Sequence, residues 1–303
     1  SRQRQTGIQY QGRPTPVAAG PLLPMNVLSA DICVAGCGSM GLPMAIRLLE
    51  DGFRVSGFDI RHVDEFGSFA SAMHRNAAEM ALAEVIISVV RDEEETVALC
   101  FDDQAVFRRE NHPSILVICS TLSPRFVTGL AARLPEGVKL VDAPMSGAPF
   151  SAAHGSLTFM LGGESSTLDY LLPVFNCMGE TLFRTGPAGS GMALKVLNNF
   201  VAASSVVAVR RAMDMASALD IDIGMLLNVM TASSGATWFG DHYRDISWSQ
   251  EGYDKSNTIG ILEKDVLSAL DAVKDLPQLQ RSEMDQALIA ALRSLEPDQS
   301  LNR

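Results

Sequence analysis

Short apolar runs alternate with amphipathic stretches along the chain from Asp31 onward. Five of these runs are rich in Val and Ile and are apolar throughout, not only at every second position. They are DICVAG, RVSGFD, EVIISVV, SILVICS and VKLVDAP. Strands that are buried on both faces of a sheet lack polar alternation, so the pattern predicts a mostly parallel sheet built from βαβ units. Helices are predicted between the runs, for example over 40–51 and 123–133.

The pattern changes near residue 187. Before that point, GSLTFMLGG and TLFRTG predict two further strands around a helix over 165–176. After it no strand is predicted, and residues 190–219 are apolar on nearly every face. Such a helix has to be buried by other helices or by a second subunit. The sequence therefore predicts a doubly wound α/β domain over 30–187 and an all-α domain over 188–303.

Residues 1–29 are predicted to form an N-terminal extension outside both domains. The first 25 residues hold three arginines, four prolines and no acidic residue. This composition suits an expression remnant, a loosely attached arm or the remnant of an organelle transit peptide. The last of these would direct the protein to mitochondria, and the other two leave a cytoplasmic protein as the expectation.

The net charge and the cysteine content limit the classes of binding partner that the sequence favours. The net charge of −11 argues against nucleic acid or an anionic membrane surface as the main partner. No apolar stretch near the ~20 residues that cross a bilayer is free of charge or glycine. The five cysteines are scattered in apolar runs, which favours buried thiols in a reducing compartment and no metal site. Small molecules and other proteins remain as partners.

Three glycines mark the turn between the first predicted strand and the first predicted helix. Gly36 can turn sharply, Gly38 lets the backbone approach a pyrophosphate, and Gly41 permits close contact between helix and strand. The helix start, with Ser39 and Met40, offers free amides to phosphates. The alternative is a turn whose glycines serve packing only.

An acidic residue, Asp59, ends the second predicted strand. A carboxylate there can bind both ribose hydroxyls of NAD and would repel the additional phosphate of NADP. Arg61, two residues later, could partly offset that repulsion. NAD is therefore the predicted cofactor, with NADP as the alternative.

Small residues follow the run VDAP. Pro144 ends the predicted strand, and Ser146, Gly147 and Ala148 come where successive backbone amides could face an anion. Such a loop fits a carboxylate. The alternative is a tight turn that binds nothing.

One lysine, Lys195, lies near the start of the long apolar helix, and no other lysine occurs between Lys139 and Lys255. Asn198 and Asn199 follow at three and four residues, on the same helix face. A buried lysine can exchange a proton near neutral pH, as the oxidation of an alcohol by hydride transfer requires. The alternative is a lysine whose chain extends along the helix to water.

Four stretches in this order, GCGSMGLPMA, DAPMSGAPFSAAHGSLTFMLGG, GSGMALKVLNN and EKD, resemble the β-hydroxyacid dehydrogenase family. That family includes 3-hydroxyisobutyrate dehydrogenase, tartronate semialdehyde reductase and L-threonate dehydrogenase. The resemblance covers 31–270 and implies a Rossmann-type NAD(P)-binding domain, a long interdomain helix and an all-α 6-phosphogluconate-dehydrogenase-like domain. It implies a small β-hydroxy acid as the substrate and a homodimer or homotetramer as the assembly.

The resemblance also implies residue roles, with Lys195 as the general acid/base and Asn199 as the residue that orients the substrate. The implied substrate-binding residues are Ser146, Gly147, Ala148, Asn198, Trp238 and Asp241. The implied cofactor-binding residues are Gly36, Gly38, Ser39, Met40, Gly41, Asp59, Ile60, Arg61, Val89, Val90, Glu94, Thr121 and Lys264. The stretches SVVRDEE and TASSGATWFGDHYRD resemble the L-threonate dehydrogenase branch. Two of these residues also have a purely structural interpretation. Trp238 would then pack within a helix, and Lys264 would belong to a salt-bridged helix at the surface.

The chain departs from the family pattern at two places. Ala148 stands where a second glycine is common, and the region after 270 is short and polar, with EPDQS as its nearest match to a Gly-rich segment. Two other functions stay open: an imine or keto reductase on the same scaffold, and a non-catalytic NAD(P)-binding regulatory or scaffold protein. The second predicts a broken catalytic helix, whereas Lys195 and Asn199 are both present.

Overall fold

The sheet holds eight strands within the part of the chain that the computed structural model describes, residues 29–279 and 282–298. The predicted extension lies outside those residues up to position 28. The strands are β1 (Asp31–Ala35), β2 (Arg54–Phe58), β3 (Val85–Ser88), β4 (Ile115–Ile118), β5 (Lys139–Asp142), β6 (Met145–Ser146), β7 (Leu157–Gly162) and β8 (Gly179–Gly186).

Five strands run parallel in the order β2-β1-β3-β4-β5. These are the five runs that the sequence predicted, so that prediction is confirmed. β7 joins β5 antiparallel, and β6 and β8 both pair with β7. β2 pairs with one edge of β1, and β3 pairs with its other edge. This reversal of the strand order opens a crevice at the carboxyl ends of the strands.

Helices cover both faces of the sheet, which is why its central strands are apolar throughout. Ile32 and Cys33 are neighbours on β1 and face opposite sides, yet both are fully buried in separate core clusters. The helices of this part are α1 (Gly41–Glu50), α2 (Ala77–Met80), α3 (Glu93–Cys100), α4 (Pro124–Ala131), α5 (Pro149–His154) and α6 (Ser165–Met178). Short 3-10 segments lie at Val63–Ala72 and Val106–Arg108.

Beyond Gly186 the described residues form helices and no strand. They are α7 (Ser190–Ala218), α8 (Ile223–Thr231), α9 (Trp238–Asp241), α10 (Thr258–Val273) and α11 (Glu283–Arg293), with a 3-10 turn at Pro277–Leu279. The long α7 links the two parts. Its first turn places Met192 in the core beside the sheet, whereas Val206 and Met213 belong to the core of the helical part.

By length and composition α7 is also apolar enough to cross a membrane, with a mean hydropathy of 1.6 over its most apolar window. Lys195 and Arg210 interrupt its apolar surface, and both are buried in this structure. The helix packs against β7, α9, α10 and α11 on one side and leaves apolar side chains exposed on another. The expectation that no membrane is involved stays a prediction.

The polar segment after α11 closes the helical core. The amide of Tyr253 donates to the carbonyl of Leu295 at 2.7 Å, and the amide of Asp298 donates to the carbonyl of Gln250 at 2.8 Å. The buried guanidinium of Arg210 donates to the carbonyls of Ser249 and Glu296. The segment whose sequence departs from the family pattern therefore takes part in the packing of the helical core.

Candidate active site

The glycine turn lies at the carboxyl end of β1, where the strand order reverses. Gly36 has a φ of +91°, and a Cβ on it would come within 2.8 Å of the backbone of Val89. A Cβ on Gly41 would come within 2.0 Å of the carbonyl oxygen of Gly36. Both glycines are thus required by packing. Gly38 is different, because a Cβ there would meet no protein atom within 4 Å.

No side chain caps the N-terminus of α1, which begins directly after this turn. Met40 holds the N-cap position without a side-chain hydrogen bond to the helix amides, and Ser39 is exposed beside it. Uncapped amides at the positive end of a helix bind anions. The open space at Gly38 and these amides together fit the pyrophosphate of a dinucleotide.

Asp59 is held at the edge of this turn by a set of hydrogen bonds. Its carboxylate accepts from the amide of Cys37 at 2.9 Å. It also accepts from Nε and Nη2 of Arg61, each at 3.1 Å. Burial by itself would raise the pKa of Asp59, but the bonds from Arg61 and Cys37 outweigh it and lower the pKa below its ordinary value. The carboxylate is therefore ionised and fixed, and Ile60 lies exposed next to it.

The loops after β3 and β4 lie beside the glycine turn. The amide of Val89 donates to the carbonyl of Ala35 at 2.7 Å, and the hydroxyl of Ser120 donates to the carbonyl of Val90. The carbonyl of Thr121 accepts from Nζ of Lys264 at 2.8 Å. The helical part thus reaches the dinucleotide crevice through Lys264, on α10.

The first turn of α3 turns Glu93 toward these loops. The amide of Ser123 donates to Oε1 of Glu93 at 3.2 Å, and burial raises the pKa of that carboxyl. Glu94, the residue named from the sequence, is exposed and makes no side-chain hydrogen bond within the described residues. Sequence reasoning missed Glu93 because the N-cap, Asp92, fixes which of the two acids lies beside the amide of Ser123.

The loop of small residues connects β6 to α5. Ser146 pairs with Thr158 on β7, and Gly147 has a φ of +137°, which side chains rarely adopt. Ala148 is the N-cap of α5 and has no side-chain hydrogen bond to its amides. Gly147 and Ala148 are both exposed. The backbone amides of this loop remain available to an anion such as a carboxylate.

Lys195 lies one turn after Met192 on α7, where the sheet and the helical part meet. The residue is 7% exposed, and within the described residues its amine donates no hydrogen bond. Burial lowers its pKa below the ordinary lysine value; the charge of Asp265 acts to raise it, and that of Lys264 to lower it. The amine is therefore partly desolvated, and a carboxylate lies close enough to influence its charge.

Asp265 on α10 is the centre of this cluster and is 1% exposed. Its Oδ2 accepts from Nδ2 of Asn199 at 2.6 Å. Its Oδ1 lies 3.5 Å from Nζ of Lys264 and accepts no hydrogen bond within the described part of the chain. Burial raises the pKa of this carboxyl, opposed by Lys264, Asn199 and Lys195. Sequence reasoning named Lys264 and passed over Asp265, although both stand in EKD.

Asn198 lies at the exposed edge of this cluster, whereas Trp238 and Asp241 lie apart from it. Asn198 is exposed and reaches only the side chain of Asn199, at 3.2 Å. Trp238 is exposed on α9, and Asp241 accepts a hydrogen bond from Thr231 at 2.8 Å. A Cβ on Gly240 of the same helix would lie 3.6 Å from Val209, which is about 21 Å along α7 from Lys195 at 1.5 Å per residue. Their role at a substrate stays a prediction.

The arrangement suits proton transfer beside a dinucleotide. It combines the buried amine of Lys195, the carboxylate of Asp265 and the side-chain amide of Asn199 at the crevice that the glycine turn borders. The described residues contain no group of three His, Cys, Asp or Glu side chains placed to hold a metal ion. Among them, Lys195 and Asp265 are the titratable groups buried at this crevice between α7 and α10.

Comparison with known proteins identifies the family. Residues 31–186 match the model for the NAD-binding domain of 6-phosphogluconate dehydrogenase. Residues 189–300 match the NAD-binding model of NADP-dependent 3-hydroxyisobutyrate dehydrogenase. The chain belongs to the β-hydroxyacid dehydrogenase family. It is an NAD(P)-dependent oxidoreductase that acts on CH–OH groups.

Individual relatives agree with this assignment. The chain is 33% identical to an NAD-dependent L-serine dehydrogenase of Pseudomonas aeruginosa, over 68% of this chain and 71% of that protein. It is 30% identical to a 3-hydroxyisobutyrate dehydrogenase of the same organism, over 79% and 84%. The structure of Mycobacterium tuberculosis 3-hydroxyisobutyrate dehydrogenase with L-serine has a TM-score of 0.74 at 27% identity, covering 89% of this chain and 97% of that one. The combination of a Rossmann-type domain with a helical C-terminal part is thereby confirmed, whereas membership of the L-threonate dehydrogenase branch stays a prediction.

Two alanine substitutions test whether the glycine turn of this dehydrogenase holds a dinucleotide. We expect Gly38→Ala to leave thermal stability near that of the parent, since its Cβ enters empty space, and to weaken NAD binding by filling the space where the pyrophosphate lies. Gly41→Ala is the matched control, and we expect it to destabilise the fold by forcing α1 away from β1. Calorimetry and thermal unfolding measure both effects. Unchanged NAD affinity in Gly38→Ala would show that the turn serves packing alone.

Proposed function

We propose that this dehydrogenase catalyses NAD-dependent oxidation and reduction of a small β-hydroxy acid, with Lys195 as the general acid/base. The observation that carries the proposal is the cluster of the buried Lys195 and Asp265 with the half-buried Asn199 beside the dinucleotide crevice. The substrates in view are 3-hydroxyisobutyrate, glycerate or tartronate semialdehyde, and threonate. Relatives named for L-serine and 3-hydroxyisobutyrate support this chemical class and add L-serine to it.

Lys195 moves the proton in this proposal. A bound nicotinamide would supply the acceptor for the hydride of the alcohol carbon. The neutral amine of Lys195 accepts the hydroxyl proton at Nζ during oxidation, and its protonated form returns the proton during reduction. Because burial lowers the pKa of Lys195, the neutral form is available at a lower pH than for an exposed lysine. Oxidation should accordingly speed up as the pH rises through that pKa, and reduction should slow down.

Other side chains orient the groups that react. Asp265 fixes the amide of Asn199, so that Asn199 can bind the substrate oxygen next to Lys195. The amides of the loop at Ser146, Gly147 and Ala148 bind the substrate carboxylate. Lys264 closes the crevice from α10 through its bond to Thr121. Asn199 and Lys264 are each held by a neighbour before a substrate arrives, and such preorganisation lowers the cost of reaching the reactive geometry.

The fixed carboxylate of Asp59 supports NAD as the preferred cofactor over NADP. It can accept hydrogen bonds from ribose hydroxyls, and its charge opposes a phosphate at the same place. Arg61, which covers one side of this carboxylate, is the residue through which NADP would be tolerated.

The division into a cofactor domain over 30–187 and a helical domain over 188–303 is part of the proposal. It is supported by the end of β8 at Gly186 and the start of α7 at Ser190. We also propose a cytoplasmic location, in line with five free and buried cysteines, with mitochondria as the alternative. Cell fractionation distinguishes the two compartments.

Replacement of Lys195 tests the proposed chemistry. Lys195→Ala and the better-filling Lys195→Met should lower turnover by about 10²-fold or more, since no other group takes the proton, while NAD binding stays close to that of the parent. The exposed Lys255→Ala is the matched control and should retain activity. The assay follows NAD reduction with L-serine, 3-hydroxyisobutyrate, glycerate and threonate. Full activity in Lys195→Met, or no reaction of the parent with any of the four acids, contradicts the proposal.

An exposed apolar stripe on α7 supports a homodimer or homotetramer. Leu194, Leu197 and Val201 are 49%, 52% and 67% exposed, and their spacing places them on one side of the helix. A second copy of the chain would bury that stripe. We expect light scattering to give at least twice the mass of one chain, and Val201→Lys to lower it. A monomeric parent protein would rule out this assembly.

A further inference from the structure

A buried carboxylate ties the end of β5 to the start of α7. Asp142 is the last residue of β5 and is 0% exposed. Its Oδ1 accepts a hydrogen bond from the amide of Gly189, and its Oδ2 accepts one from the amide of Met192, both at 2.6 Å. Gly189 is the N-cap of α7 and has no side chain with which to cap it. Asp142 thus supplies the cap of this helix from a different element.

Two glycines leave the space that the carboxylate occupies. A Cβ on Gly162 would lie 2.2 Å from Oδ1 of Asp142, which is far closer than atoms can approach. A Cβ on Gly191 would lie 3.1 Å from Oδ2 and 2.2 Å from the carbonyl oxygen of Met160. The close packing on both sides leaves the carboxylate little freedom to move.

The position of Asp142 in the chain connects it to both halves of the proposed site. Toward the C-terminus, the strand continues after a few residues into the loop at Ser146 that is proposed to bind the substrate carboxylate. In α7, Met192, whose amide binds Asp142, comes one helical turn before Lys195. The two hydrogen bonds therefore set the distance between that loop and the lysine.

Burial affects the protonation state of this carboxyl. Burial raises the pKa of Asp142 to about 6, although the amides of Gly189 and Met192 oppose the shift. A carboxyl whose pKa in the fold lies above its unfolded value favours the fold most when protonated, and this contribution is lost as the pH rises through about 6. At neutral pH the carboxyl is therefore mostly ionised, and in that form each oxygen accepts a hydrogen bond from an amide of the first turn of α7.

We propose that Asp142 is a positioning residue that fixes the first turn of α7, and with it Lys195, against the loop that binds the substrate. This inference rests on the proposed role of Lys195. A carboxylate suits the task because each oxygen accepts one amide, whereas an asparagine has one acceptor and would turn a donor toward the second amide.

The test compares Asp142→Asn with Ser190→Ala. Ser190 is the control because its hydroxyl bonds to Thr185 at 2.7 Å at the same helix start, without touching Asp142's two amides. We expect Asp142→Asn to lower kcat by about 10²-fold, since small displacements of a catalytic group have such effects, and to leave the Kd of NAD unchanged. We expect Ser190→Ala to keep kcat near that of the parent. Asp142→Ser, with a smaller side chain, serves as a second variant should the first one fold poorly.

Hydrogen exchange separates this inference from the proposed function. Amides over 189–196 should exchange faster in Asp142→Asn than in the parent, and those of β1 should not change. This readout needs no substrate, so it decides the anchoring role even if the parent turns over none of the four acids. A folded Asp142 variant with parental kcat, or with parental exchange over 189–196, would overturn the inference.

Discussion

The proposed site depends on the amine of Lys195 and the carboxylate of Asp265, which are both almost completely shielded from water. Lys195 is 7% exposed and Asp265 is 1% exposed. A buried charge is costly without partners, and the nearest partners of the Asp265 carboxylate are Asn199 at 2.6 Å and Lys264 at 3.5 Å, while its charge also acts on Lys195. Burial nevertheless dominates for the lysine and lowers its pKa. A lysine in that condition can give and take a proton, which an exposed lysine does poorly near neutral pH.

The fold delivers this amine to the crevice by means of one helix that belongs to two cores. The first turn of α7 packs beside the sheet through Met192, and its later turns pack within the helical part through Val206. Lys195 lies between these two regions of α7. Asp265 and Lys264 approach from α10, so the site is completed only when both parts of the chain are folded against each other.

Local patterns in the sequence were enough to predict the strands and the glycine turn, and they also drew attention to Lys195, whose catalytic role stays a prediction. Continuous apolarity identified the five parallel strands, because only burial on both faces tolerates it. The glycine spacing located the turn, and an isolated lysine in an apolar helix identified Lys195. These features need no knowledge of distant contacts.

Other features depend on tertiary packing and could not be read in the same way. Asp265 follows Lys264 in an amphipathic helix, and its burial is decided by how α10 packs on α7. Asp142 looked like an ordinary strand end, since nothing local shows that the start of α7 lies against it. The choice of Glu93 over Glu94 depends on one residue of helix register. A stretch of sequence shows which residues are present and does not show which of them become neighbours.

The most direct test of the account is the titration of the Lys195 amine, followed by NMR with labelled lysine and assigned by its loss in Lys195→Met. We predict that Lys195 titrates below the ordinary lysine value of about 10.4. Asp265→Asn should lower the pKa of Lys195 further, because the charge of Asp265 raises it. A Lys195 that titrates together with the exposed lysines would contradict the central claim.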